Sequence, residues 1–138
     1  MATPPGSSLY MAEHLVESAG AVLLRLSAEE ICIFRNGKTN EHLLAKGKRN
    51  CSETRQQAAV RGTAEDTGYS CRLLALDMSV RCPPAVEIER EAGGARFYHG
   101  ITEPVAVQLR PLSDTDIKVV WWYVAAVDEE KLVKARSA

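Results

Sequence analysis

One block of this chain is built unlike the rest. Residues 47–69, GKRNCSETRQQAAVRGTAEDTGY, open on a basic cluster, continue through helix formers, and place two adjacent carboxylates, Glu65 and Asp66, just ahead of Gly68. Most of the remaining sequence is short aliphatic, β-branched or aromatic runs divided by turn signals. One long helix among many strands can bury its apolar side only by lying on a sheet, so the expectation is a mixed α+β domain. The spacing predicts a helix from Thr54 to Asp66, with Ser52 as N-cap and Gly68 as the C-terminal stop. Its side away from the acidic pair, Val60, Thr63 and Ala64, is a stripe of small residues suited to close approach.

The strands follow from periodicity. Residues 1–14 hold two prolines, a glycine and two serines and are expected to be a disordered N-terminal segment, leaving 15–138 as a single domain. Val16 to Leu26 reads as a buried strand in which Gly20 marks a close backbone approach, and Ile31 to Phe34 returns beside it as a hairpin. His42 to Leu44 is a short strand feeding the basic cluster, and Cys71 to Val80 is a further strand. Residues 81–100, with Pro83-Pro84, Gly93-Gly94 and Glu87, Glu89 and Glu91 between them, read as a long loop of functional type. Val105 to Leu109 is a strand ended by Pro111, and Ile117 to Val127 is the most strand-like run, with Trp121 and Trp122 on opposite faces. Asp128 caps a short C-terminal helix through Val133.

Composition narrows the function classes. A net charge of −1 gives no global attraction to nucleic acid or anionic membrane. No apolar run approaches the roughly 18–20 residues that span a bilayer. The N-terminus lacks the basic start and apolar core of a secretory signal. Cys32, Cys51, Cys71 and Cys82 contain no CxxC pair, so neither zinc spacing nor a disulfide framework is indicated, and a cytoplasmic location is expected. The histidines have no metal-ligand spacing; His99, beside Phe97 and Tyr98 at the exit of the long loop, is the one retained as a candidate.

Written out, the central block is Gly47, five residues, Glu53, seven residues, Arg61, then Gly-Thr-Ala-Glu-Asp-Thr-Gly-Tyr. This resembles the Nudix box, Gly-x5-Glu-x7-Arg-Glu-U-x-Glu-Glu-x-Gly-U with U aliphatic, in a degenerate form. The resemblance implies an α/β/α sandwich around a mixed sheet. It also implies a Mg2+ or Mn2+ site, with Glu65, Asp66 and the Gly47 carbonyl as ligands, Arg61 orienting the carboxylates, Arg61 and Glu65 as the catalytic pair, and Glu53 in support. On a helix, positions 62, 65 and 66 fall within roughly a 100° arc, so a carboxylate at each could converge on one cation. Position 62 is glycine here, which costs a helix about 0.5–1 kcal/mol relative to alanine. Gly62 is expected to open space in the pocket and to impair hydrolysis, unless Glu87, Glu89, Glu91 or Glu103 swings in to replace the missing acid. Upstream, Leu44-Ala45-Lys46-Gly47 resembles the Leu-Pro-Lys-Gly that enters the box in asymmetric diadenosine tetraphosphate and diphosphoinositol polyphosphate hydrolases, with Ala45 in place of proline. Lys46, Lys48 and Arg49 then form a substrate-binding cluster suited to polyphosphate.

Two functions compete. The first is a metal-dependent Nudix-type hydrolase that cleaves a diphosphate linkage in a nucleoside or inositol polyphosphate. The second is a Nudix-fold protein that has lost hydrolysis and binds or transforms another small phosphate or metabolite ligand as a sensor, regulatory subunit or metal-independent enzyme. Nucleic-acid binding through residues 46–49 is disfavoured, because three clustered cations are few and the remaining charge is balanced.

Overall fold

Two eleven-residue strands from opposite ends of the chain form the centre of the structure, a computed structural model describing residues 6–84 and 94–131. Strand β1 (Leu15–Arg25) and the last strand (Ile117–Val127) pair in parallel, from Leu15 beside Ile117 to Leu24 beside Ala126. Both are rich in small and aliphatic residues and are largely buried, as expected of paired central strands. The last strand occupies the span read from the sequence.

In chain order the remaining elements are β2 (Glu30–Cys32), β3 (Phe34–Arg35), β4 (His42–Leu43), β5 (Ala45–Lys48), α1 (Arg55–Thr67), β6 (Cys71–Leu73), β7 (Leu76–Val80), β8 (Arg96–Ile101) and β9 (Ala106–Pro111), which makes the last strand β10. Each central strand has two partners on its outer edge. β2 and β5 share the edge of β1, both antiparallel. β6 and β9 share that of β10, again antiparallel. Two two-stranded sheets, β3 with β4 and β7 with β8, flank this mixed sheet. Residues 71–80 thus divide between two sheets rather than forming one strand, and the last part of the expected 81–100 loop is strand β8. Pro111 ends inside β9 rather than beyond it, tolerated because β9 lies at the sheet edge.

Helix α1 lies on one face of this sheet. Ala58 and Ala59 meet Ala19, Ala21 and Leu23 of β1 and Tyr123, Ala125 and Val127 of β10. Ala58, Ala59, Gly62 and Thr63 are the buried helix positions, so the stripe is smaller in volume than Val60, Thr63 and Ala64 suggest. At Gly20, an added Cβ would stand 2.7 Å from the Lys46 Cβ, which is the close approach its glycine implies. Gly68 adopts φ 79° and ends α1 by donating its N–H to the Ala64 carbonyl.

The N-cap is Thr54, not Ser52. Thr54 accepts from the Gln57 N–H while the Gln57 side chain accepts from the Thr54 N–H, a reciprocal capping box. Ser52 instead sits in the turn before the helix at φ 69°. At the N-terminus, Ala12–His14 makes one 3-10 turn, and His14 Nδ1 lies 2.8 Å from Asp116 Oδ1. At the C-terminus, Asp128 Oδ1 accepts from the Lys131 N–H at the start of a helical turn; the expected helix end lies outside the described residues. Among the described residues no helix is long and apolar enough to cross a membrane.

Thr54→Ala should lower stability by about 1 kcal/mol, a fall in Tm of a few degrees by thermal denaturation. Ser52→Gly should leave stability unchanged or raise it, since glycine accepts the left-handed conformation at that turn.

Candidate functional site

The helix–strand contact at the centre of the box is glycine on glycine. Gly47 of β5 and Gly62 of α1 face each other, and a Cβ built at Gly62 would stand 2.6 Å from Gly47 Cα and 3.0 Å from the Lys46 carbonyl carbon. From the other side, a Cβ at Gly47 would stand 2.8 Å from Gly62 Cα. Gly62 therefore does not open a pocket, as its missing side chain suggested. The helix has closed onto β5 and backbone fills the space.

Around this contact, Arg61 holds the box together. Its Nε and Nη2 donate to the two Glu53 carboxylate oxygens at 2.8 and 2.9 Å, a bidentate pair. Nη1 donates to Glu65 Oε2 at 3.1 Å, and Nη2 also reaches the Lys48 carbonyl. The Arg61 hydrogen bonds, followed by the Asn50 N–H, pull the Glu53 carboxyl down to about 2. The same pairing with Glu53 holds the Arg61 proton more firmly than usual. Glu53 is the helix-side anchor for Arg61, and Glu65 is its more exposed second partner.

Glu65 and Asp66 stand near the C-terminal end of α1, both exposed. Asp66 Oδ2 accepts from the Lys46 N–H at 3.2 Å, which ties this carboxylate to the strand that leads into Gly47. Hydrolytic members of the resembled family use divalent metals, and a fit can be judged from the donors present. Two hard carboxylates remain. One is engaged by a guanidinium and the other by a backbone donor, and the third position is occupied by strand backbone. Among the described residues no group of three or more His, Cys, Asp or Glu is placed to hold a metal ion. The described residues do not fit a three-carboxylate magnesium centre.

The basic cluster divides. β5 alternates, so Gly47 meets α1 while Lys46 and Lys48 belong to the opposite face. Arg49 is not grouped with them. Its N–H donates to the Glu17 carbonyl at 2.9 Å, its Nε to Glu17 Oε2 at 3.0 Å, and its Nη1 to the Glu53 carbonyl at 2.8 Å. Arg49 is a structural link between β1 and the turn before α1.

Glu17 was not singled out from the sequence, although a lone acid inside an apolar strand run is the signal that could have found it. It accepts from Arg55 Nε at 2.7 Å, Trp121 Nε1 at 2.8 Å and Arg49 Nε. Arg55 also stacks 4.3 Å over the Trp121 ring. Burial pushes the Glu17 carboxyl up, but the Arg55 hydrogen bond, the Arg49 charge and the Trp121 N–H outweigh it, and the net shift is downward. Glu17, Arg49 and Arg55 of this network line a cleft of about 330 Å³ together with Glu53, Glu103, Pro104 and Tyr123.

The other candidates lie apart. Glu103 lines this cleft and a smaller one beside Tyr98, not the carboxylate end of α1. His99 is on β8, exposed, 3.4 Å from Asp77 and edge-on to Phe97. Glu87, Glu89 and Glu91 lie outside the described residues. Burial pushes the Cys32 and Cys71 thiols up, so neither is primed as a thiolate nucleophile.

Comparison with known proteins agrees with the geometry. The NUDIX domain family model matches residues 14–138. A crystal structure of a NUDIX-family hydrolase from Clostridium perfringens is similar in fold, with a TM-score of 0.50 at 15% identity, over 85% of this chain and 70% of that one. No curated protein matches the chain.

Two outcomes test the site geometry. In an open helix position Gly→Ala gains about 0.8–1 kcal/mol, whereas overpacking costs about 1–3 kcal/mol. With strand backbone under Gly62, overpacking prevails: Gly62→Ala should destabilise in urea denaturation, and Gly62→Glu more so. Glu53, depressed to about 2 against an unfolded value near 4.3, contributes stability that is present above the unfolded value and lost as pH falls through about 2. The acid limb of the stability–pH curve between about pH 5 and 2 should flatten in Glu53→Gln.

Proposed function

The chain belongs to the Nudix domain family, and from that premise we propose that it has left metal-dependent hydrolysis and binds a phosphate-bearing small molecule. The observation that carries this reading is the Gly47–Gly62 contact. A carboxylate directly after Arg61 would be needed to complete the metal site, and that position is packed against strand backbone. Arg61 keeps a structural task without it, clamping Glu53 and the Lys48 carbonyl across the helix–strand junction.

Ligand capture falls to Lys46 and Lys48. Both are outside the box clamp, neither has a carboxylate ion pair among the described residues, and their ammonium groups suit phosphate oxygens as point charges, Lys46 beside Lys118. Arg49 is committed to Glu17 and to the Glu53 carbonyl, so its part is to hold the turn that follows β5.

A second reading has its own support. The Arg61–Glu65 pair and the exposed Asp66 are what hydrolysis of a diphosphate linkage in a nucleoside or inositol polyphosphate would require of these positions.

Thermal denaturation with and without cations separates the two. The proposal expects phosphate ligands to raise Tm equally in EDTA and in magnesium, with no metal-induced shift that disappears in Glu65→Gln. It also expects no diphosphate turnover at high protein concentration. Magnesium- or manganese-dependent turnover that falls sharply in Glu65→Gln would overturn it and establish the hydrolase reading.

A further inference from the structure

Beside the loop that joins β8 to β9, on the α1 side of the sheet, the cleft of about 330 Å³ holds polar groups that the box does not use. Tyr123 of β10 reaches it from the core with only 2% of its surface exposed. Its hydroxyl makes no hydrogen bond among the described residues. It is not sealed in, however, like Ser18 Oγ and Thr63 Oγ1, the buried side-chain oxygens that also lack a partner there. The little exposure that Tyr123 retains therefore includes the oxygen, which opens on the cleft. Withdrawing a tyrosine from water with its hydroxyl unpaired is costly unless a ligand or water completes the position.

The charges around the cleft leave one group without a counter-ion. Arg49 and Arg55 both pair with Glu17, and Arg61 pairs with Glu53. Arg55 is further committed by its stack over the Trp121 ring. Glu103 is half-buried, yet it has no ion pair or hydrogen bond among the described residues. The residues that follow hold it in place: Pro104 lines the same cleft, and the Val105 N–H donates to the Trp122 carbonyl at 2.8 Å. Burial pushes the Tyr123 pKa up, the Arg55 charge opposes this, and the Glu103 and Glu17 charges add to it. The hydroxyl thus stays neutral and able to accept a hydrogen bond.

A carboxylate without a counter-ion beside a neutral phenol oxygen suits a donor that carries positive charge. An ammonium group has three N–H donors, enough for both oxygens with one left for water. A divalent metal ion is a poor match, because one uncommitted carboxylate supplies too few hard ligands. An anion is a poor match too: Glu17 engages Arg49 and Arg55, and the Thr54–Gln57 capping box closes the first turn of α1. Glu103 also borders a second cleft, of about 140 Å³, whose walls include Val80, Pro83, Pro84 and Ile101. The Tyr98 hydroxyl on that side already donates to the Cys82 carbonyl, so the surface next to the carboxylate is largely apolar.

We propose that this cleft binds a small organic ammonium ion, its charged head between the Glu103 carboxylate and the Tyr123 hydroxyl and its short hydrocarbon tail against the apolar wall around Pro83 and Ile101. A volume of about 330 Å³ is within the range of small-ligand sites, roughly 300–1,000 Å³. The site is on the helix side of the sheet, across from Lys46 and Lys48, and does not depend on the phosphate reading.

The test is an NMR chemical-shift titration of the full chain in EDTA with n-butylammonium, methylammonium and butyrate. Butylammonium should give saturable shifts at the Gln56 and Glu103 amides. Glu103→Gln should weaken its binding about tenfold and Tyr123→Phe about fivefold, as for loss of a charged and a neutral hydrogen bond, while the loop control Glu41→Gln binds as wild type. Because the Tyr123 hydroxyl has no partner among the described residues, Tyr123→Phe should keep or raise Tm without ligand. A clear fall would mark a structural hydrogen bond and overturn the proposal. So would the absence of saturable butylammonium shifts, or binding that Glu103→Gln leaves unchanged. Butyrate binding as tightly as butylammonium would give the cleft to an anion on Arg55 instead, and equal binding of methylammonium would overturn the hydrocarbon-tail assignment. If butylammonium binds in this way and tripolyphosphate does not bind at all, the phosphate reading falls and this one stands.

Discussion

Backbone contact between Gly47 and Gly62 sets the distance from α1 to β5, and the rest of the site is arranged around that distance. With no side chain on either partner, the helix settles onto the strand, and Ala58, Ala59 and Thr63 are carried into the sheet beside it. Arg61, next in sequence, then lies close enough to the strand to reach the Lys48 carbonyl while still holding Glu53 bidentately. Asp66, one turn on, comes within reach of the Lys46 N–H. A bulky pair at the glycine positions would lift the helix and weaken all three interactions together, so packing and electrostatics share one constraint.

The same contact sorts charge between the two faces of the sheet. Because Gly47 must face the helix, its neighbours Lys46 and Lys48 must face away. The helix face then holds a closed set of ion pairs, in which Glu17 and Glu53 are each satisfied by arginines and the carboxyls are stabilised as anions. The opposite face receives Lys46 and Lys48, which have no carboxylate ion pair among the described residues. In a chain whose formal charges nearly cancel, this segregation is local.

Much of this was legible in the residues. The 117–127 strand, the glycine stop at Gly68 and the close approach at Gly20 are local signals, and the box spacing identifies the fold family. What escaped was long-range. Gly62 reads as a missing acid because its partner, Gly47, is fifteen positions away in a different element, and only the packed structure shows what fills the space. Arg49 reads as a neighbour of Lys46 and Lys48 because it follows them, yet strand alternation and the Glu17 carboxylate take it to the other side. Lys118 and Arg110 carry no motif at all and join the lysines only through the pairing of β5, β1, β10 and β9. Ser52 and Thr54 are both acceptable caps by type, and the choice between them depends on Gln57 being placed to complete the box at Thr54.

The parallel pairing of β1 with β10 has a consequence for how the protein comes into being. A parallel partner so distant in sequence means that this central strand is synthesised after every other strand of the described sheet. Until Val127 has emerged, β1 has neighbours on one edge only, and α1 has just half of its apolar floor. Such a sheet closes late and through contacts of large sequence separation, which slows folding and leaves apolar strand surface uncovered in the nascent chain. Contacts across the β1–β10 pair are therefore among the latest of the described sheet to become possible.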